Sequence, residues 1–252
     1  MSGHSKWSTI KHKKGAKDAK RGKEFGKLIR VVETTAREAG TADPDMSAAL
    51  AVAVQKAKDA SVPKDNIERA CKRGAGELEG AATYEPAQYE GYGPGGVAVL
   101  VDVLTDNRNR TASDVRQAFT KSGGSLAEPG SVAFMFSRRG QVLVARGGVD
   151  EDELMLVGLE AGMEDLESDD ETFTAWCDPS DAPDLRKALE EAGYTVTGSG
   201  WTMVPSSTVP ISDPGDAKKI LALLDQLDDN DDVQDVFANV DITDDVMAGL
   251  DA

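Results

Sequence analysis

Residues 159–176 read LEAGMEDLESDDETFTAW, and residues 189–205 read LEEAGYTVTGSGWTMVP. Each stretch leaves a helix through an Ala-Gly pair and then alternates apolar and polar residues. Glycine is the usual residue where a helix ends in a left-handed turn. Alternation with a period of two marks a strand. One helix is therefore expected over 150–161, with Leu154, Val157 and Leu159 inward and Gly162 as its stop. A second is expected over 181–192, with Leu185 and Leu189 inward and Gly193 as its stop. Strands are expected at 141–145, 163–166, 172–177, 194–197 and 201–204. Over 138–204 the order is βαβ-βαβ, that of a ferredoxin-like unit. Asp169-Asp170-Glu171 reads as a solvated hairpin tip rather than a metal site.

On the N-terminal side, residues 84–89 and 97–104 read as two strands around Gly91-Tyr92-Gly93-Pro94-Gly95-Gly96. This turn lacks the GxxxxGK[ST] pattern and joins strand to strand, so it is a hairpin bend and not a phosphate loop. A helix over about 109–122 follows, with Val115, Ala118 and Phe119 inward, and then a strand at 131–136. On the C-terminal side, Asp213-Pro214 opens a helix carrying Ile220, Leu221, Leu224 and Leu227. Asp228-Asp229-Asn230-Asp231-Asp232 lacks the central Gly and final Glu of a calcium loop and is not read as one. Residues 233–240 form a last strand with no place in the completed 138–204 pattern. It is expected to join the sheet begun at residue 83. The middle domain is then discontinuous, 79–137 plus 205–252, with 138–204 inserted.

Residues 18–78 read as a helical domain. Over 18–39, Phe25, Leu28, Ile29, Val32 and Ala36 follow helical spacing, while Lys20, Lys23, Lys27, Arg30 and Arg37 fall on the opposite arc. Asp43-Pro44 is expected to open a second helix with Met46, Leu50, Val54 and Ala57 inward. Pro63 opens a third with Ile67, Ala70 and Cys71, followed by Gly74 and a glycine-containing linker. The fold class is α+β with three domains: an N-terminal helical domain, then two ferredoxin-like α/β domains, the third inserted into the second.

Charge is distributed unevenly. Residues 1–30 hold ten cations against Asp18 and Glu24, a net of +8; with −17 for the whole chain, residues 31–252 carry −25. A basic segment on an acidic body points to a polyanion, and nucleic acid is the first candidate. Residues 1–17 read as a basic arm. The candidate phosphate contacts are Lys6, Lys11, His12, Lys13, Lys14, Lys17, Lys20, Arg21, Lys23, Lys27 and Arg30. Trp7 stacks on a base or docks on the body. Arg108 and Arg110 lie at a helix N-terminus, where cations oppose the dipole and backbone donors favour anions. They are candidates for a second phosphate contact. Nothing resembles a recognition helix with base-reading side chains at fixed offsets, nor an aromatic pair on an RNA-reading strand.

The same residues argue against other classes. His4 and His12 lack patterned zinc partners, and Cys71 and Cys177 form no CxxC. No nucleophile elbow, metalloprotease or nucleotide fingerprint occurs. No enzyme activity, metal, cofactor or small-molecule substrate is expected. No apolar run reaches the length of a membrane span and no secretory h-region opens the chain. A cytoplasmic protein is expected, with a monomer favoured.

SGHSKWSTIKHKKGAKDAKRGKEFGKLIR, SVPKDNIERACKRGAG, YEGYGPGGVAVLVDVLTDNRNRTASDVRQAF, GSVAFMF and AGMEDLE together resemble the YebC/PmpR family across essentially the whole chain. The resemblance implies three domains with the third inserted in the second. It also implies a cytoplasmic protein of a kind mostly described as DNA-binding transcriptional regulators. A mitochondrial relative activates translation, and bacterial relatives are linked to ribosomes stalled on proline-rich sequences, so ribosomal RNA or the ribosome is the alternative partner to duplex DNA. No catalytic residues are assigned in the family.

Overall fold

A computed structural model describes residues 18–80 and 83–250. Three helices come first: α1 (Asp18–Ala39), α2 (Ala48–Asp59) and α3 (Lys64–Gly74). Leu28, Val32 and Ala36 of α1 are buried against Leu50, Val54, Ala57, Ile67, Ala70 and Cys71, with Phe25 and Ile29 packed on the margin. The predicted apolar stripe is thus the core face.

Two local expectations change here. Asp43-Pro44 opens only a 3-10 turn, Pro44–Met46. Ser47 then caps α2 by accepting from the Leu50 amide at 3.3 Å. Met46 consequently points outward, 76% exposed, instead of joining the core. Gly74 does not follow α3 but ends it, in the buried position where α3 crosses α1. A Cβ there would collide with the Glu33 carbonyl oxygen and lie 2.8 Å from Ala36 Cβ.

The middle sheet has the order β3-β1-β2-β9. It comprises β1 (Glu85–Tyr92), β2 (Ala98–Thr105), β3 (Ser125–Leu126) and β9 (Val233–Ala238). β9 pairs antiparallel with β2, Val99 opposite Ala238 and Val101 opposite Val236. The last long strand therefore lies in the sheet begun near residue 83. Helices α4 (Arg108–Lys121) and α7 (Pro214–Asp228) cover one face, placing Phe119, Ile220, Leu223 and Leu224 on Val99, Val101 and Val236. Two central strands joined directly by a hairpin distinguish this sheet from the inserted one.

The hairpin glycines have packing roles. A Cβ at Gly91 would meet the Phe119 ring at 2.6 Å, and one at Gly93 would meet Ile220 Cδ1 at 2.6 Å. Gly95 and Gly96 also have φ of 72° and 77°, a conformation that favours glycine. The bend is shaped by the side chains lying against it.

The inserted sheet has the order β5-β6-β4-β7, all antiparallel. Its elements run β4 (Phe136–Ala145), α5 (Glu151–Glu160), β5 (Met163–Ser168), β6 (Thr172–Cys177), α6 (Ala182–Glu191) and β7 (Val196–Pro205). This is the ferredoxin-like order anticipated from the paired stretches. Gly162 and Gly193 take φ of 91° and 92° at the equivalent helix ends.

Three details differ from expectation. The segment 131–136 is mostly a 3-10 turn, Ala133–Met135, and the strand starts at Phe136. Glu90 imposes that turn: its buried carboxylate accepts from the amides of Gly130, Val132 and Ala133 at 2.6, 2.6 and 2.8 Å. Residues 194–197 and 201–204 are not two strands. β7 runs unbroken beside β4, because Gly198 and Gly200 face Leu143 and Gln141 across the ladder, and a register shift at Leu143/Val144 absorbs the irregularity. Leu159 is 54% exposed, while Gly158 takes the inward position against Met163. β8 (Val209–Ile211) pairs in parallel with β10 (Val240–Ile242), and α8 (Asp244–Leu250) follows.

Replacing Gly74 with Ala forces α3 off α1. Gly74→Ala is expected to cost about 1–3 kcal/mol, read as a lower urea midpoint for the helical unit. An unchanged midpoint would show that the helices do not touch there.

Candidate nucleic-acid interface

Among the candidate contacts, Lys6, Lys11, His12, Lys13, Lys14 and Lys17 lie outside the described residues. Lys20 belongs to α1. Arg21 is exposed, its guanidinium carbon 5.5 Å from the centre of the Phe25 ring.

The next three cations, Lys23, Lys27 and Arg30, occur at helical spacing and meet one acidic loop. Lys23 Nζ donates to the Asp229 carbonyl at 3.1 Å. Lys27 Nζ donates to the Asp228 carbonyl and lies 3.7 Å from its carboxylate. Arg30 Nη1 donates to the Asp231 carbonyl at 2.6 Å and to Asp232 Oδ1 at 3.3 Å. Its guanidinium also sits 5.3 Å from the Tyr84 ring centre.

The physical reason is the end of α7. The final carbonyls of a helix lack intrahelical partners and carry the negative end of its dipole. Asp228, Asp229, Asp231 and Asp232 add carboxylates where they are least favourable. The basic arc of α1 satisfies both. Lys27 is drawn in so far that its side chain is only 12% exposed. The arc opposite the core stripe is therefore an interdomain contact along this part of its length, and the rejected calcium loop is its receptor. A run of aspartates closing a helix was the sequence signal, because such a run needs cations from elsewhere.

Asp232 anchors the loop. Its Oδ2 accepts from Arg110 at 2.7 Å, Thr111 at 2.8 Å and Thr105 at 3.2 Å. Burial pushes its carboxyl up, but the hydrogen bonds from Arg110, Thr111 and Thr105, with the Arg110 charge, outweigh that and hold it below its ordinary value. Arg110 in turn is pushed up, first by its hydrogen bond to Asp232 and then by that to Asp106. Asn107 caps α4 by accepting from the Arg110 amide. The arginine thus has a structural reason for its place at a helix N-terminus, which the sequence alone did not supply.

Arg108 is separate from this cluster. It pairs with Glu85 at 3.1 Å and donates to the Pro86 carbonyl at 3.1 Å, over the outer end of β1. Lys23, Arg30, Arg110, Tyr84, Asp106 and the 229–232 loop border a cleft of about 420 Å³. Arg37, last of the basic arc, turns instead to Glu33 at 3.6 Å, a buried carboxylate that Arg73 also approaches at 3.3 Å. Arg73 lies in the last turn of α3, where a cation also suits the helix dipole.

No group of three or more potential metal ligands occurs among the described residues. No described helix is long and apolar enough to cross a membrane.

Two family models cover most of the chain. One, described as the TACO1/YebC protein N-terminal domain, matches residues 5–77; the other, described as the TACO1/YebC second and third domain, matches 84–240. A relative from Halothermothrix orenii is 52% identical, the alignment covering 98% of both chains. Another from Mycolicibacterium smegmatis is 54% identical over all of this chain and 99% of its own. Both are named "Probable transcriptional regulatory protein". The crystal structure of a conserved hypothetical protein from Aquifex aeolicus superposes with a TM-score of 0.81 at 44% identity, covering 90% of this chain and 93% of that one.

The depressed Asp232 carboxyl sets a pH dependence. Its folded pKa lies below the unfolded one, so its stabilisation is full above about pH 4 and is lost as pH falls through the folded value. Asp232→Asn should cost about 2–4 kcal/mol at neutral pH and flatten the acid limb of the stability profile. Thermal unfolding of both proteins from neutral pH downwards checks this, and parallel profiles would place the acid sensitivity elsewhere.

Proposed function

The chain belongs to the TACO1/YebC family, and on that premise we propose that it is a regulator that binds nucleic acid, with duplex DNA as the ligand. The observation that carries this reading is the charge division, +8 in residues 1–30 against −25 in the remainder. A chain does not need that division to fold, and only part of it is used internally. Lys23, Lys27 and Arg30 have internal partners. The cations preceding them supply the phosphate contacts: Lys6, Lys11, Lys13, Lys14, Lys17, Lys20 and Arg21, with His12 among them. Arg108 and Arg110 have internal partners in Glu85 and Asp232, so they stand second to the arm as phosphate contacts in this reading.

Such a contact is electrostatic and weakly sequence-selective, since phosphates position a protein without specifying bases. The acidic surface of the remaining domains repels phosphate and confines the ligand to the basic end. The names of the relatives support a role in transcriptional regulation.

Release of about six counterions gives a slope near −5 for log affinity against log salt. Changing Lys11, Lys13, Lys14 and Lys20 to Glu should weaken binding to duplex DNA and flatten the slope by about 3–4. An unaltered slope would remove the arm as the contact. Purified ribosomes titrated in parallel provide the decisive comparison, because tight binding confined to ribosomes would replace DNA with ribosomal RNA as the ligand.

A further inference from the structure

The same face of α1 that continues the basic arm is closed by the acidic loop after α7. We propose that residues 228–232 act as an intramolecular latch: they occupy Lys23, Lys27 and Arg30 as a phosphate backbone would, and nucleic acid opens the contact by competing for these cations. This inference rests on the nucleic-acid reading above and adds to it a built-in competitor.

The contacts have the chemistry of a displaceable anion site. Carbonyl oxygens of Asp228, Asp229 and Asp231 and carboxylates of Asp228 and Asp232 face three cations spaced along one helix. A phosphodiester strand also presents anionic oxygens in a row. Lys23 is exposed and Arg30 is half-buried, so competing phosphates and salt reach the edge of the contact.

The contact at the end of α2 is built differently. Arg186 of α6 grips Asp59 of α2 in a two-pronged pair, with Nη2 to Oδ1 at 2.9 Å and side chains 12% and 13% exposed. Arg186 also donates to Ser199 Oγ at 3.0 Å. A bidentate pair shielded from water is firm; in α1 only Lys27 is comparably shielded, at 12% exposed, whereas the contacts of Lys23 and Arg30 lie at the edge, where single charge contacts are weak and screened by salt. The helical unit thus has a firm attachment at α2 and a weak one at α1. Beyond α3, Gly76 and Gly80 take φ of 81° and 89°. Opening at α1 about the Asp59–Arg186 contact is the motion that this asymmetry allows.

Competition has a thermodynamic signature. When a binding-competent state is only partly populated, apparent affinity falls by that fraction. Salt weakens the latch as well as the nucleic-acid contact, so the latched protein should show a shallower salt dependence than an unlatched one.

The test compares the wild-type chain with the triple variant Asp228→Asn, Asp229→Asn, Asp231→Asn. Asp232 is left intact because it supports the fold. A control with the same charge change, Asp170→Asn, Glu171→Gln, Asp184→Asn, lies in the inserted unit. With a random 20-base-pair duplex at low salt, the loop variant should bind on the order of 3- to 10-fold more tightly than wild type, with a steeper salt slope, while the control moves much less. Equal gains by loop variant and control would overturn the latch and leave general charge repulsion. Amide hydrogen exchange on the wild-type protein gives a second reading that needs no variant: amides of 228–232 should exchange faster when duplex is added. Unchanged or slower exchange there, with duplex bound, overturns the latch while sparing the nucleic-acid reading. Absence of binding by all three proteins removes the nucleic-acid reading itself, and the latch with it.

Discussion

The Asp232 carboxylate is the contact on which the assembly of this chain turns. It stands at the entry to β9, where its carbonyl accepts from the Leu104 amide at 2.8 Å. One carboxylate oxygen gathers Thr105 from the end of β2 and Thr111 and Arg110 from α4. The other accepts from Arg30 of α1. A single buried anion thus ties the returning C-terminal strand, the central hairpin and the helical unit together. A buried charge is tolerated only when fully paired, and here the partners come from three segments: α1, the end of β2 and the start of α4. The discontinuous middle sheet is fastened where the chain re-enters it after the insertion.

Around this node, electrostatics do work that the apolar cores cannot. Each core is local: the three-helix cluster, the middle sheet with α4 and α7, and the inserted sheet with α5 and α6. A small fourth cluster of Ala98, Leu100, Val132 and Phe136 joins the hinge of the insertion to the back of the middle sheet. The helical unit, by contrast, meets the other two through charged contacts: Arg186 with Asp59, Lys56 with Asp235, and the α1 cations with the loop after α7. Interfaces of that kind respond to salt and to competing polyanions far more than apolar packing does. The excess of acid in the body therefore has an internal use as well as an external one.

The candidate interface was only half legible. The excess of cations in 1–30 is a matter of composition and needs no structure. That Lys27 and Arg30 face Asp228 and Asp231 could not be read, because about two hundred residues separate the partners. Helical periodicity places cations on an arc but does not say whether the arc faces water, ligand or another domain. The partner of Arg110 is hidden from the sequence for the same reason: its unfavourable position on the dipole is offset by Asp232. Nor does the sequence show that Glu33 is buried between Arg37 and Arg73.

The sequence by itself determined the class of each unit. The period of α1, the paired Ala-Gly helix ends at 161–162 and 192–193, and the leftover apolar run at 233–240 follow from local rules of side-chain direction and backbone freedom. Those rules operate within one element, so they are visible in a linear string. Tertiary structure alone decided where elements give way to one another. Glu90 converts an expected strand start into a turn, and β4 holds residues 196–205 as one strand despite two glycines. It also decided which charges meet. In each case the winning interaction is a hydrogen bond or ion pair from a remote or competing segment, and its worth depends on burial that exists only once the chain has folded.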